Sequence, residues 1–318
     1  MYKSFFGLRE NPFNANPDPR YLFLTREIQE ALAGLAYGIK NRKGFILLTG
    51  EVGTGKTTLL NRLLDWLNLE SVATAYIFNS QLDTSQLFDF MMSDFGIPCE
   101  SRDKSHVLMR LNHWLLQRYR DRKTSVLIVD EAQNLSFEVL EEIRLLTNFE
   151  TASEKLLQIV LSGQPELEEK LRDPRLRQLR QRITMRCRTQ PLSHDEMNGY
   201  INERLRIGGA NGTPIFSNEA VEAIFRYSRG IPRVANLLCE NSLINSFVDQ
   251  VKPVPPSVVH EAAREFELDQ LDPMAHPVVR NSEDPTRTME GLLRSLNHLL
   301  EEMDRNSSVT SGAHERKP

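Results

Sequence analysis

A three-layer α/β unit followed by a small all-α unit is the fold class this sequence predicts. Three observations carry it. Short apolar runs alternate with helical patterns as far as about residue 190. A G-x-x-x-x-G-K-[ST] stretch follows the first of those runs. From Ser193 onward only helical patterns remain.

Residues 1–43 read as an N-terminal segment with turns at Asn11-Pro12 and Asn16-Pro17-Asp18-Pro19, then a helix. Thr25 is placed to cap that helix, which runs to about Lys43 with Ile28, Leu32, Leu35 and Ile39 on one face. The runs FILLT (45–49), ATAYIF (73–78), SVLIV (125–129) and LQIVLS (157–162) are continuous rather than alternating. Parallel strands covered on both faces read this way. ITMRCR (183–188) does alternate, with Ile183, Met185 and Cys187 facing one way and Thr184, Arg186 and Arg188 the other, as an edge strand would. The α/β core is therefore set at 44–190.

A helical unit follows at 191–268. Ser193 and Glu196 form a capping box, Ser217 caps a second helix, and Gly230 ends it. Further helices are expected at about 232–250 and 256–268. Residues 269–285 read as a linker. Residues 286–304 read as an amphipathic helix with Met289, Leu292, Leu293, Leu296, Leu299, Leu300 and Met303 on one stripe, and 305–318 as a disordered tail. The stripe could dock on the chain's own core, on a partner, or on its copy in another subunit.

Composition narrows the function classes. Lys+Arg is 39 and Asp+Glu 43, a formal charge of −4, so no overall basic excess argues for nucleic acid. The three cysteines, Cys99, Cys187 and Cys239, show neither zinc spacing nor a disulfide framework. Residues 1–11 lack a signal-peptide core, and no apolar run is long enough to span a bilayer. The expected location is cytoplasmic, with peripheral attachment at the inner membrane through a partner as an option.

The chemistry concentrates at strand ends. GEVGTGKT supplies Gly50, Glu51, Val52, Gly53, Thr54, Gly55, Lys56 and Thr57, with Thr58 next. Glycines at this spacing let successive backbone N–H groups curl toward phosphate oxygens, and the helix beginning near Lys56 adds its positive end. Lys56 would reach the β and γ phosphates of ATP, and the Thr57 hydroxyl would ligate Mg²⁺. A strand before and a helix after set this apart from a mere glycine-rich turn. Asp130, at the end of VLIVDEAQNL, would hold Mg²⁺ through water, and Glu131 would polarise the attacking water as general base. Ser162 and Gln164, in SGQPEL, are candidates to orient water or the γ-phosphate, against an ordinary strand-to-helix turn. Arg233 sits in the first turn of a helix, where the dipole prefers anions, which makes sense if it pairs with phosphate.

The stretch LRDPRLRQLRQRITMRCR (171–188) holds seven arginines and one acid. Asp173-Pro174 starts a helix with Leu176, Leu179 and Ile183 on its apolar stripe. Three readings compete: an arginine reaching a neighbouring subunit's ATP, a solvated helix face, and a nucleic-acid patch. No aromatic occurs between Phe149 and Tyr200, which disfavours the last. The intersubunit reading is preferred, with Arg182 first and Arg180 second.

Taken together, YKSFFGLRENPF, PDPRYLFL, RKGFILLTGEVGTGKTTLL, VLIVDEAQNL, LQIVLSGQPEL, LRQLRQRI and GIPRVANLLCE resemble the AAA+ ATPases, and within them the general secretion pathway A (ExeA-like) family. The resemblance spans residues 1 to about 268. It implies a P-loop NTPase αβα sandwich of strand order 5-1-4-3-2 with a C-terminal all-α lid. ATP would lie between the two and, typically, between subunits of a homo-oligomer. Ser162 or Gln164 would be the first sensor, Arg233 the second, and LRQLRQRI would carry the arginine finger. The Tyr21–Leu24 segment, with Leu22 and Phe23, would help enclose the adenine. Secretion-pathway members look longer, with a transmembrane helix and a peptidoglycan-binding part. This chain looks closer to short soluble relatives encoded with exopolysaccharide and exosortase systems. Expected partners are therefore proteins of cell-envelope export or polysaccharide systems. Similar cores also occur in transposition regulators that bind DNA, the alternative function.

Overall fold

A computed structural model describes residues 1–78, 81–98 and 103–271. The expected linker, amphipathic helix and tail lie almost wholly outside the described residues. Five parallel strands form one sheet in the order β2-β3-β4-β1-β5. They are β1 (Phe45–Thr49), β2 (Ala73–Ile77), β3 (Ser125–Val129), β4 (Gln158–Gly163) and β5 (Ile183–Arg188). This is the order implied by the resemblance, read from the opposite edge. All five runs named from sequence are strands, with ends shifted by a residue: Phe78 falls outside β2 and Leu157 outside β4.

The helices of this unit are α2 (Arg26–Lys40), α3 (Lys56–Leu69), α4 (Thr84–Asp94), α5 (Lys104–Arg120), α6 (Phe137–Leu146), α7 (Pro165–Lys170) and α8 (Arg177–Arg182). A short helix, α1 (Tyr2–Phe6), precedes them. Two-residue periodicity persists inside the continuous apolar strands. Phe45, Leu47, Leu127, Val129, Ile159 and Leu161 join one core with residues of α4 to α8. Ile46, Leu48, Val126, Ile128 and Val160 join the other with α2 and α3. Both faces are covered, so β1 and β3 are buried along their whole length. β5, at the edge, is buried only at Cys187, with Ile183 and Met185 half-buried on the same face and Thr184, Arg186 and Arg188 exposed.

Local chemistry sets the helix ends. Thr25 caps α2, accepting from Ile28 N–H at 3.2 Å, but α2 ends at Lys40 because Asn41 leaves helical geometry and Arg42 turns to φ 49°. The arginine helix starts at Asp173-Pro174 but divides. Pro174–Leu176 is a 3₁₀ turn, and α8 begins only after Leu176, whose ψ of 12° breaks the run.

The lid comprises α9 (His194–Ile207), α10 (Asn218–Ser228), α11 (Pro232–Val248) and α12 (Pro256–Glu265). Ser193 and Glu196 make the capping box and Ser217 caps α10. Arg229, in left-handed geometry, terminates α10 one residue before Gly230. The lid has its own core, which includes Phe6, Leu8 and Phe13 from the chain's beginning. Sequence periodicity gave no sign of α1 or of this long-range packing.

Candidate functional site

Parallel strands end at one edge of a sheet, so the loops after β1, β3 and β4 meet there. Gly50 leaves β1 where a Cβ would lie 2.0 Å from the Thr189 hydroxyl oxygen, so only glycine fits. Gly55, at φ 94°, turns the chain into α3, whose N-terminal N–H groups face the loop. Thr54 is buried within the loop, its hydroxyl donating to the Glu51 carbonyl at 2.8 Å and accepting from the Thr189 hydroxyl at 2.7 Å. Glu51 and Val52 stand exposed, while Gly53, Thr57 and Thr58 are half-buried.

Lys56 is buried, and its ammonium donates to the carbonyls of Gly50 at 2.7 Å and Glu51 at 3.0 Å. Desolvation holds its pKa below the usual lysine value, against the opposing fields of Glu131 and Asp130. Its ammonium and the N-terminus of α3 together bring positive charge to this edge of the sheet.

Asp130 is also buried and is gripped from three elements. Its Oδ2 accepts from the Thr57 hydroxyl at 3.0 Å and its Oδ1 from the Ser162 hydroxyl at 2.7 Å. The Tyr76 hydroxyl reaches Oδ2 at 3.4 Å. Burial, and then the charge of Asp130, push the Tyr76 phenol well above its usual range, so it stays a neutral donor.

Glu131 follows at φ 52°, in left-handed geometry. Its Oε2 accepts from Gln133 at 2.6 Å and from Gln164 at 3.0 Å. Ser162 and Gln164 thus divide the two carboxylates, Ser162 on Asp130 and Gln164 on Glu131. Spacing alone had left them as alternatives for one place.

The lid touches the loop directly. Arg233 N–H donates to the Gly53 carbonyl at 3.2 Å, which brings the start of α11 onto the loop with the exposed Arg233 side chain beside it. Leu22 and Phe23 straddle the junction. Leu22 packs with the α2–α3 core and Phe23 with the lid, edge-on to Tyr200 at 5.8 Å. The same strap is tied to α3 through Asn61, which donates to the Pro17 carbonyl at 2.8 Å.

Arg182 is not part of this cluster. It precedes Ile183, which pairs with Phe45, the first residue of β1, whereas the loop follows the last. Five residues at roughly 3.3 Å each leave roughly 16 Å between them. Its guanidinium donates to the Thr147 hydroxyl at 2.6 Å, while Arg180 is exposed. Other arginines of the cluster are engaged within the chain. Arg175 pairs with Asp173 at 2.9 Å and stacks 3.6 Å from the Phe137 ring centroid, and Arg188 pairs with Glu168 at 3.0 Å.

Sequence reasoning missed Gln133, Tyr76 and Thr189. Gln133 had a legible signal, lying two residues beyond Glu131 in DEAQ. Tyr76 and Thr189 had none, because their roles arise from strand neighbours far away in the chain.

A glycine-rich loop between β1 and α3, an acidic strand end beside it and a helical lid upon it define the nucleotide-binding P-loop fold of AAA+ proteins. Residues 39–171 match the family model described as AAA domain. The chain is 47% identical over 248 residues, 78% of its length, to general secretion pathway protein A of Aeromonas hydrophila. That alignment takes in 45% of the relative, so the chain spans less than half its length. The chain belongs to the AAA+ proteins and, within them, to the general secretion pathway A family. Among solved structures, the Aeropyrum pernix ORC2 protein matches with a TM-score of 0.62 at 18% identity, covering 82% of this chain and 74% of that one. The Thermotoga maritima RuvB Holliday junction branch migration motor matches at 0.53 and 17%, covering 80% and 73%. At such identities these likenesses show the fold alone.

Proposed function

We propose that this protein binds and hydrolyses ATP with Mg²⁺, as a homo-oligomer assisting a cell-envelope secretion or polysaccharide export system. The carrying observation is the convergence of Lys56, Thr57, Asp130, Glu131, Ser162 and Gln164 at one sheet edge beside the glycine-rich loop. In this reading residues 44–190 are the catalytic core and 191–268 the lid. The loop from Gly50 to Thr58 binds the phosphates, with Lys56 as the buried cation. Thr57 and Asp130, whose oxygens already meet at 3.0 Å, suit a hard cation that keeps most of its water shell, and would hold Mg²⁺. When bound, that ion neutralises phosphate charge. Ser162 orients Asp130, and Glu131 takes the proton of the attacking water. Arg233 contacts phosphate from the lid, and Leu22 and Phe23 border the adenine. Arg182, or Arg180 beside it, serves a neighbouring subunit's site, since its own loop is out of reach.

The kinship with general secretion pathway protein A supports the export reading. Among the described residues, no helix is long and apolar enough to cross a membrane. Work at the cytoplasmic face of the inner membrane, through a partner, fits both. The alternative of a DNA-bound regulator has less support, because Arg175 and Arg188 are engaged within the chain.

Glu131→Gln tests the catalytic reading. ATP affinity should stay while turnover falls by about 10²–10⁴-fold, the usual cost of losing a general base. Turnover near that of the unaltered protein would remove Glu131 from the mechanism. ATPase rates with and without duplex DNA at graded salt address the alternative, since steep loss with salt marks phosphate-backbone binding.

A further inference from the structure

Two amide groups hold one oxygen of the candidate base. Gln133 Nε2 and Gln164 Nε2 both donate to Oε2 of Glu131, at 2.6 and 3.0 Å. Gln133 Oε1 in turn accepts from the backbone N–H of Gln164 at 3.2 Å. A backbone N–H can only donate, so this contact fixes the amide's orientation: Oε1 faces β4 and Nε2 faces Glu131. The result is a closed ring joining the turn after β3 to the end of β4.

Other contacts keep the ring in place. Lys170 of α7 donates to the carbonyl of Gln133 at 2.9 Å and to that of Leu135. A Cβ at Gly163 would lie 2.8 Å from Gln133 Oε1, so glycine there is what admits the amide.

We infer that Gln133 is a positioning residue that sets the orientation of the Glu131 carboxylate. This rests on the reading of Glu131 as general base. The ring engages Oε2 only and leaves Oε1 to take the proton from water. Gln133 therefore aims Oε1 along one direction, which a brace of the turn alone would not do.

Gln133→Met removes the donor at nearly constant volume. The expected result is a kcat lower by about 10-fold, the weight of one charge-assisted hydrogen bond, with KM for ATP unchanged. Gln133→Glu, which keeps an accepting oxygen but sets a like charge against Glu131, should lower kcat further, again with KM for ATP unchanged. It also serves if the methionine variant folds poorly. An unchanged kcat in both variants, or a KM for ATP that rises in step with the fall in kcat, with Glu131→Gln inactive, would overturn the positioning role and leave Glu131 as base. An active Glu131→Gln would instead overturn the reading on which it rests.

Discussion

The sheet draws all its strands from residues 45–188, and β1 and β3 are buried throughout. The lid draws its core from both ends of the described chain. Phe6, Leu8 and Phe13 pack with Met197, Phe216, Leu243 and Val258, about two hundred residues away. Buried Arg204 ties the two ends further, donating to the Pro12 carbonyl at 2.6 Å and lying 4.6 Å from the Tyr21 ring centroid. The difference separates two jobs. The sheet edge can assemble Lys56, Asp130 and Glu131 without the lid, since their partners all lie between Gly50 and Gln164. The lid reaches that edge mainly through Arg233 and the strap at Leu22 and Phe23. Damage to the sheet edge should therefore strike binding and chemistry, and damage to the lid should strike its closure.

The largest effect should come from Lys56→Ala, which removes the one buried cation of the loop. ATP affinity measured by calorimetry with Mg²⁺ should fall to the limit of detection while the fold persists. Affinity equal to that of the unaltered chain would show that the loop is not the phosphate site. Arg182→Ala comes next and sharpens the contrast between the two edges of the sheet. Binding should persist and turnover should fall by about 10³-fold or more, the weight of an arginine finger. Mixing it with Glu131→Gln should restore part of the turnover at hybrid interfaces. A mixture proven to exchange subunits, yet inactive, would rule out action across subunits, and loss in Arg180→Ala alone would move the role by two positions.

Phe13→Ala should split lid from sheet. The ring is buried and lies edge-on to Phe216 at 6.1 Å. Removing a buried phenylalanine costs about 3–5 kcal/mol. Amide exchange should quicken in α9 to α12 and change little in β1, β3 and β4. Equal acceleration in the sheet would mean that the two units open as one.

The same contrast explains what the sequence made legible. Strands and caps are local: FILLT, SVLIV, Thr25, Ser193 and Ser217 announce themselves within a few residues. The phosphate loop is legible because its chemistry fits in eight consecutive positions. The grip on Asp130 is not, because Tyr76 and Ser162 come from separate strands and only sheet order brings them together. The N-terminal contribution to the lid was illegible for the same reason. Phe6, Leu8 and Phe13 have no periodic pattern, and their partners lie near the other end of the described chain.

The smallest effect concerns pH and the lid's own surface. His194, the first residue of α9, reaches Glu222 of α10 and, at 3.5 Å, Asp195, with its ring edge-on to Phe225 at 5.1 Å. The hydrogen bond to Glu222, and then that to Asp195, hold its pKa above the ordinary 6.5. Because the folded value is raised, the contribution to stability is fully present below the unfolded value and is lost as pH rises through the folded one. The site is exposed, so salt and water weaken it, and a cation at a helix start opposes the dipole. His194→Gln should therefore lower lid stability slightly at pH 5.5 and hardly at all at pH 8.5, while leaving the sheet unaffected. Lid amide exchange at the two pH values, corrected for intrinsic rates, reads this out. A deficit that is the same at both would mean that the imidazole charge contributes nothing and that the contact with Phe225 accounts for the effect.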